Sequence, residues 1–157
     1  MTASLPSNNI LIIDKDTQDV EPLKVILGIY GYTVTICNDS ILALHKALRK
    51  TPDLVLVEAS MSDVEEFEII KFLRHFEDTE DVPILYMSGV NSPETKMQAF
   101  ASGADDFITK PYQIDEVIAR ISIHLGKIEK QKALESKISE LEAYTHTVAH
   151  EIGRAHV

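Results

Sequence analysis

Cysteine is nearly absent. Cys37 is the only one in 157 residues, so the sequence offers neither an internal disulfide nor a cysteine pair for a metal. That scarcity suits a reducing compartment, and a cytoplasmic setting is expected. Positive charge is also short, with 15 Lys and Arg against 25 Asp and Glu. The resulting net charge of -10 repels phosphate backbones and anionic lipid, so neither nucleic acid nor a membrane surface is expected as a partner. Long apolar runs are missing too. The longest near the amino terminus, Ile10 to Ile13, is too short for a signal-peptide core or a membrane span, and no basic region precedes it. What remains is ordinary globular composition, 45% hydrophobic and 25% charged. The length is close to the prior of about 150 residues per domain, enough for one core and a short appendage.

Three apolar runs are clear: Ile10 to Ile13, Leu54 to Val57 and Ile84 to Met87. Each ends at a polar residue and precedes helix-like sequence, which predicts strands buried on both faces, as in a parallel sheet. Thr33 to Cys37 and Phe107 to Thr109 supply two weaker strands at compatible intervals. Helical spacing lies between them, in Val20, Leu23, Leu27 and Tyr30, then Ile41, Leu44 and Leu48, then Phe67, Ile70 and Phe76. Gly31 reads as a helix stop, Asp39 or Ser40 as an N-cap, and Ser92 as another, followed by Pro93 at the first helical position. Five βα repeats call for right-handed crossovers and helices on both faces of the sheet. The expectation is a doubly wound α/β domain over residues 8–124.

From Ile114 to Ile152 there is no proline and one glycine, Gly126, which predicts a single long helix. Ile114, Ile118, Ile121, Leu125 and Ile128 step by four and three. Leu134, Ile138, Leu141, Thr145, Val148 and Ile152 do so in a shifted phase, the slip that overwinds a coiled coil. Either an amphipathic helix folds back on its domain or two chains pair through it. The charged flanks, among them Glu129, Lys130, Lys132, Glu135 and Lys137, favour a homodimer through residues 125–143.

In open α/β sheets functional groups gather beyond the carboxyl ends of the strands. Asp14, Lys15 and Asp16 follow the first predicted strand, Glu58 ends the third, Ser88 the fourth, and Lys110 with Pro111 follows the fifth. Together with Pro52 to Glu58, Pro83 to Ser88 and Gly103 to Pro111, this set resembles the receiver domain of two-component response regulators. The resemblance implies a flavodoxin-like five-stranded sheet of order 2-1-3-4-5. It also implies a pocket in which an acidic pair organises Mg²⁺, an aspartate accepts phosphate, and a hydroxyl and a lysine engage the phosphoryl oxygens. Asp14, Ser88 and Lys110 match that pattern, and Phe107 stands at the family's switch aromatic or is a plain core ring. Lys15 replaces the metal-ligating acid and Glu58 the phosphoacceptor aspartate. A lysine cannot ligate a hard cation, so at most a weak Mg²⁺ site at Asp14 is expected. The extra methylene of Glu58 moves its carboxylate toward Ser88 and Lys110, out of line for attack. A degenerate receiver follows, the alternative being a self-neutralised charge cluster that serves docking or dimerisation without phosphorylation. Ser62 and Glu66 depart from the Pro and Gly usual in the loop after the third strand. The Lys110-Pro111 bond resembles the family's cis peptide. A flavin or nucleotide site is not expected, because Thr17 to Glu21 place acids where a phosphate cradle needs glycines.

Tyr144 to Ile152 resembles the H-box of sensor histidine kinases. This implies His150 as phosphoacceptor and Glu151 as base in a kinase-like parent protein, as in receiver-first hybrid kinases. With Ile138 and Leu141 at core positions, His150 falls on the outer face of a coiled coil. Residues 144–152 then form a truncated H-box start without an ATP-binding domain, so this chain alone should be inactive as a kinase. Residues 153–157 depart from the kinase pattern and are expected to be a non-native tail. Ile152 to Val157 can be encoded by ATCGGAAGAGCACACGTC, similar to the start of a common sequencing adapter. Protein partners of a phosphorelay complete the expectation.

Overall fold

The computed structural model describes residues 8–59 and 63–155. Five strands, β1 (Asn9–Ile13), β2 (Thr33–Cys37), β3 (Leu54–Glu58), β4 (Ile84–Ser88) and β5 (Asp106–Thr109), form one parallel sheet in the order β2-β1-β3-β4-β5. The register sets Ile10 against both Val34 and Leu54, and Tyr86 against Phe107. Strands β3 and β4 are buried along their whole length, as their unbroken apolar sequence requires. Edge strand β2 instead alternates, with Thr33 and Thr35 exposed. Ile10, Ile12, Leu54, Leu56, Ile84 and Leu85 are each fully buried, and burial of such a side chain is worth roughly 1.5 to 3 kcal/mol.

The helices are α1 (Thr17–Ile29), α2 (Ser40–Arg49), α3 (Asp63–His75), α4 (Pro93–Ser102) and α5 (Ile114–Ala155). Side-chain caps start three of them. Asp16 accepts from the Gln18 amide at 3.1 Å, Asp39 from Leu42 at 2.9 Å and Ser92 from Thr95 at 3.3 Å. Gly103 ends α4 at φ +120°, and a Cβ there would lie 2.6 Å from Arg74 Cγ, so both backbone and space demand glycine. Arg74 ties this corner together, donating to the carbonyls of Gly103, Glu80 and Val82 and to the Asp105 carboxylate.

The structure refines one sequence expectation and corrects another. The inward face of α2 is made by Ala43 and Ala47, whereas Ile41 is 81% exposed and Leu44 only partly buried. Small residues let this helix lie close to the sheet, and the larger ones are left outside. Glu66 sits within α3 and is buried rather than lying in a loop, because the run Val64 to Ile70 is a continuous helical stretch. Ser62 lies outside the described residues.

The fifth helix is continuous from Ile114 to Ala155. Its residues through Ile121 belong to the first compact unit, and those from Ser122 form a second. In the second unit Leu134, Ile138, Leu141, Tyr144 and Ile152 are all exposed. Among the described residues no helix is long and apolar enough to cross a membrane.

Candidate functional site

The carboxyl ends of four neighbouring strands bring Asp14, Glu58, Ser88 and Lys110 together, because parallel strands in register end on the same edge of the sheet. Main-chain hydrogen bonds fix the positions. The Asp14 amide donates to the Cys37 carbonyl at 3.0 Å, and the Lys110 amide to the Ser88 carbonyl at 2.9 Å. The Ala59 amide donates to the Met87 carbonyl at 2.7 Å. Asp14 Oδ1 accepts from the Asp16 amide at 3.0 Å, which folds the β1–α1 turn over the site. Ser88 Oγ accepts from the Val90 amide at 3.0 Å. The Lys110-Pro111 peptide is cis, as the motif suggested.

The chemistry centres on Glu58. Its side chain is 1% exposed, and Lys110 Nζ lies 2.7 Å from Oε2. The Glu58 carboxyl is pushed up to about 7, chiefly by burial and also by the neighbouring Asp14 carboxylate, against the downward pull of the Lys110 hydrogen bond and charge. Near neutrality Glu58 therefore holds a proton part of the time. Glu58 Oε1 has no hydrogen-bond donor among the described residues.

Lys15 and Asp16, the other two polar residues expected in the pocket, are exposed on the β1–α1 turn, and Asp16 serves as the α1 cap. Phe107 is buried, 5.6 Å from the Tyr86 ring, with Lys96 Nζ 5.7 Å from its own centroid. Tyr86 stacks in turn on Phe67. His150 and Glu151 are exposed in the second unit.

The donor set does not suit Mg²⁺, a hard cation that needs several oxygen ligands in near-octahedral array. Of the expected ligands, one position carries an ammonium group, Lys15, and another carries a carboxylate already held by Lys110. Among the described residues no group of three His, Cys, Asp or Glu side chains converges.

Sequence reasoning missed two arginine clasps at the opposite edge of the sheet, where β4 and β5 begin. Arg74 Nη2 pairs with Asp105 at 2.6 Å, and Arg120 Nη1 with Asp106 at 2.8 Å. The partners are 31 and 14 residues apart, so no local pattern marks them.

Residues 10–122 match the family described as the response regulator receiver domain. A curated relative, the DNA-binding dual master transcriptional regulator RpaA of Synechocystis, is 34% identical over 131 residues, covering 82% of this chain and 54% of that protein. The response regulator MprA of Mycobacterium leprae is 32% identical over 127 residues, covering 81% and 55%. The chain therefore spans about half the length of the curated relatives it matches. Among solved structures, the CheY-like receiver domain protein of Methanospirillum hungatei superposes with a TM-score of 0.73 at 26% identity, covering 80% of this chain and 99% of that one. A two-component response regulator from Clostridium difficile gives 0.71 at 27% identity, covering 78% and 98%. With the fold, the strand-end residues and a family match over most of its length in agreement, this chain belongs to the response regulator receiver domain family.

Proposed function

We propose that this chain is a degenerate receiver from a histidine-kinase-like protein of two-component signalling, one that transmits without taking up phosphate at Glu58. The observation that carries this reading is the 2.7 Å Glu58–Lys110 ion pair. In a working receiver the carboxylate at this position is the nucleophile and the lysine neutralises charge on the phosphoryl oxygens. Here the two neutralise each other, and the longer side chain carries the nucleophilic oxygen away from the in-line position. Lys15 adds positive charge where metal would be held.

The second half of the proposal concerns α5. Residues 8–124 are the receiver, 125–143 a coiled coil and 144–152 the start of an H-box. The exposed apolar side chains of Leu134, Ile138 and Leu141 recur at four and three, the spacing by which two copies pair in parallel. His150 is exposed beside Glu151, as a phosphoacceptor and its base must be in the parent protein. The protein is cytoplasmic in this reading, and its partners are the proteins of a phosphorelay. DNA binding, named for one relative, is not carried over to a chain of net charge -10 that spans half of that protein.

A second reading keeps the fold as a docking and dimerisation module with no phosphorelay role, and the same ion pair favours it. Acetyl phosphate with Mg²⁺ tests both. The natural chain is expected to stay unlabelled, while the pair Lys15→Asp and Glu58→Asp is expected to gain measurable uptake if the pocket is a receiver site altered at two positions. Uptake by neither protein favours the docking module. Stoichiometric labelling of the natural chain overturns both readings.

A further inference from the structure

Helix α2 and strands β1 and β2 enclose a cleft of about 300 Å³ at the amino-terminal ends of the strands, the opposite end from Glu58. The cleft exists because α2 meets the sheet through small residues. Ala43 and Ala47 are its buried positions, and the edge strand offers the exposed hydroxyl of Thr35 rather than a large apolar group. Leu11 and Ala47, almost wholly buried, close its bottom, while exposed Thr33, Thr35, Lys46, Arg49 and Lys50 supply the surface it presents.

Three cations within five positions are unexpected in a chain of net charge -10, and no acid occurs from Ser40 to Pro52. None of the three is ion-paired with a carboxylate among the described residues. The nearest acids in sequence are already engaged, Asp53 Oδ2 with the Asn9 amide at 2.6 Å and Asp39 with the α2 cap. Lys46 lies near the buried Cys37 thiol, but burial holds that thiol above its ordinary value, so it stays neutral and does not offset the lysine. Lys46 and Arg49 also complement the negative end of the α2 dipole, a purely structural use of the same charges. That use explains neither Lys50, which is the cap residue itself, nor the cleft beneath.

We propose that this cleft binds a phosphate monoester with a small apolar body. Such a phosphate carries between one and two negative charges near neutral pH, a match for a guanidinium and two ammonium groups. The Thr35 hydroxyl supplies a further donor, and the methyl groups of Thr33 and Thr35 with the aliphatic stems of Lys46 and Arg49 receive the apolar part. The volume lies at the low end of small-molecule pockets, which restricts the ligand to a compact one. The site stands apart from the Glu58–Lys110 pair and does not depend on the state of that pocket.

Amide NMR of the full chain, titrated with phenyl phosphate and separately with inorganic phosphate, is the test. Saturable shifts are expected at Thr35 and at Lys46 through Lys50, with phenyl phosphate held about tenfold more tightly because its ring packs on the threonine methyls and the cation stems. Lys46→Gln with Arg49→Gln, both exposed positions, should weaken phenyl phosphate by about tenfold or more while leaving the remaining spectrum in place. Equal affinity for the two probes would mean an adventitious ion only and overturns the proposal. Non-saturating shifts, or an unaffected double variant, overturn it as well and leave the cations to their role at the helix end.

Discussion

At the scale of single residues, the behaviour of Glu58 follows from where it is buried. The carboxyl titrates near 4.5 when free and is pushed up to about 7 in the folded chain, chiefly by burial and against the pull of Lys110. Between those values the folded state holds more protons than the unfolded one, so stability falls as pH rises through this window. A shift of that size corresponds to a penalty on the order of 3 kcal/mol above pH 7. Glu58→Gln removes the titration, and urea unfolding from about pH 5 to pH 8 should show a flatter profile with higher stability than the parent at the alkaline end. A parent whose stability rises over that range would contradict the raised carboxyl. Asp14, Glu58, Ser88 and Lys110 were all legible in the sequence, since each stands where an apolar run ends. The approach of Glu58 to Lys110 was anticipated as well, but the proton that burial keeps on Glu58 was not, because it depends on how closely the surrounding side chains exclude water, which spacing does not describe.

At the scale of elements, the strands were readable because central parallel strands need unbroken apolar runs, and the boundaries moved by no more than a residue or two. Helix α2 forms where the apolar spacing placed it, but that spacing did not mark its most deeply buried positions. Apolar spacing pointed to Ile41, Leu44 and Leu48, while the helix is seated on alanines, which carry no hydrophobic signal strong enough to mark a face. The end of α4 gives a sharp expectation. Gly103→Ala forces a left-handed residue and a collision with Arg74, and should cost at least about 1 to 2 kcal/mol in denaturant unfolding. Arg74→Ala should relieve the collision in the double variant while itself losing the hydrogen bonds to Gly103, Glu80, Val82 and Asp105. Helix α5 carries the dimer proposal. Gly126 costs about 1 kcal/mol relative to alanine, less than the roughly 1.5 to 3 kcal/mol that full burial of each of Leu134, Ile138 and Leu141 would contribute. Sedimentation of the whole chain should show a dimer at micromolar concentration, and a version ending at Leu125 a monomer. Two monomers, or two equal dimers, would remove the coiled coil and with it much of the support for His150.

At the scale of the whole molecule, the net charge of -10 sets the expectation that nucleic acid is not a partner, and the alternation of strand and helix announced the sheet. At about 0.15 M salt, duplex DNA should show no saturable polarisation change with the chain, and saturable binding would show that the net charge of -10 does not govern its contacts. The strand-end pocket decides the proposed reading, in which a receiver whose Glu58 is held by Lys110 signals by contact rather than by phosphate. The most direct measurement is the intact mass of the full chain after incubation with acetyl phosphate and Mg²⁺. An unchanged mass is expected, with Glu58 held by Lys110; a mass gain of one phosphoryl group that disappears on chelating the metal and maps to Glu58 would contradict it.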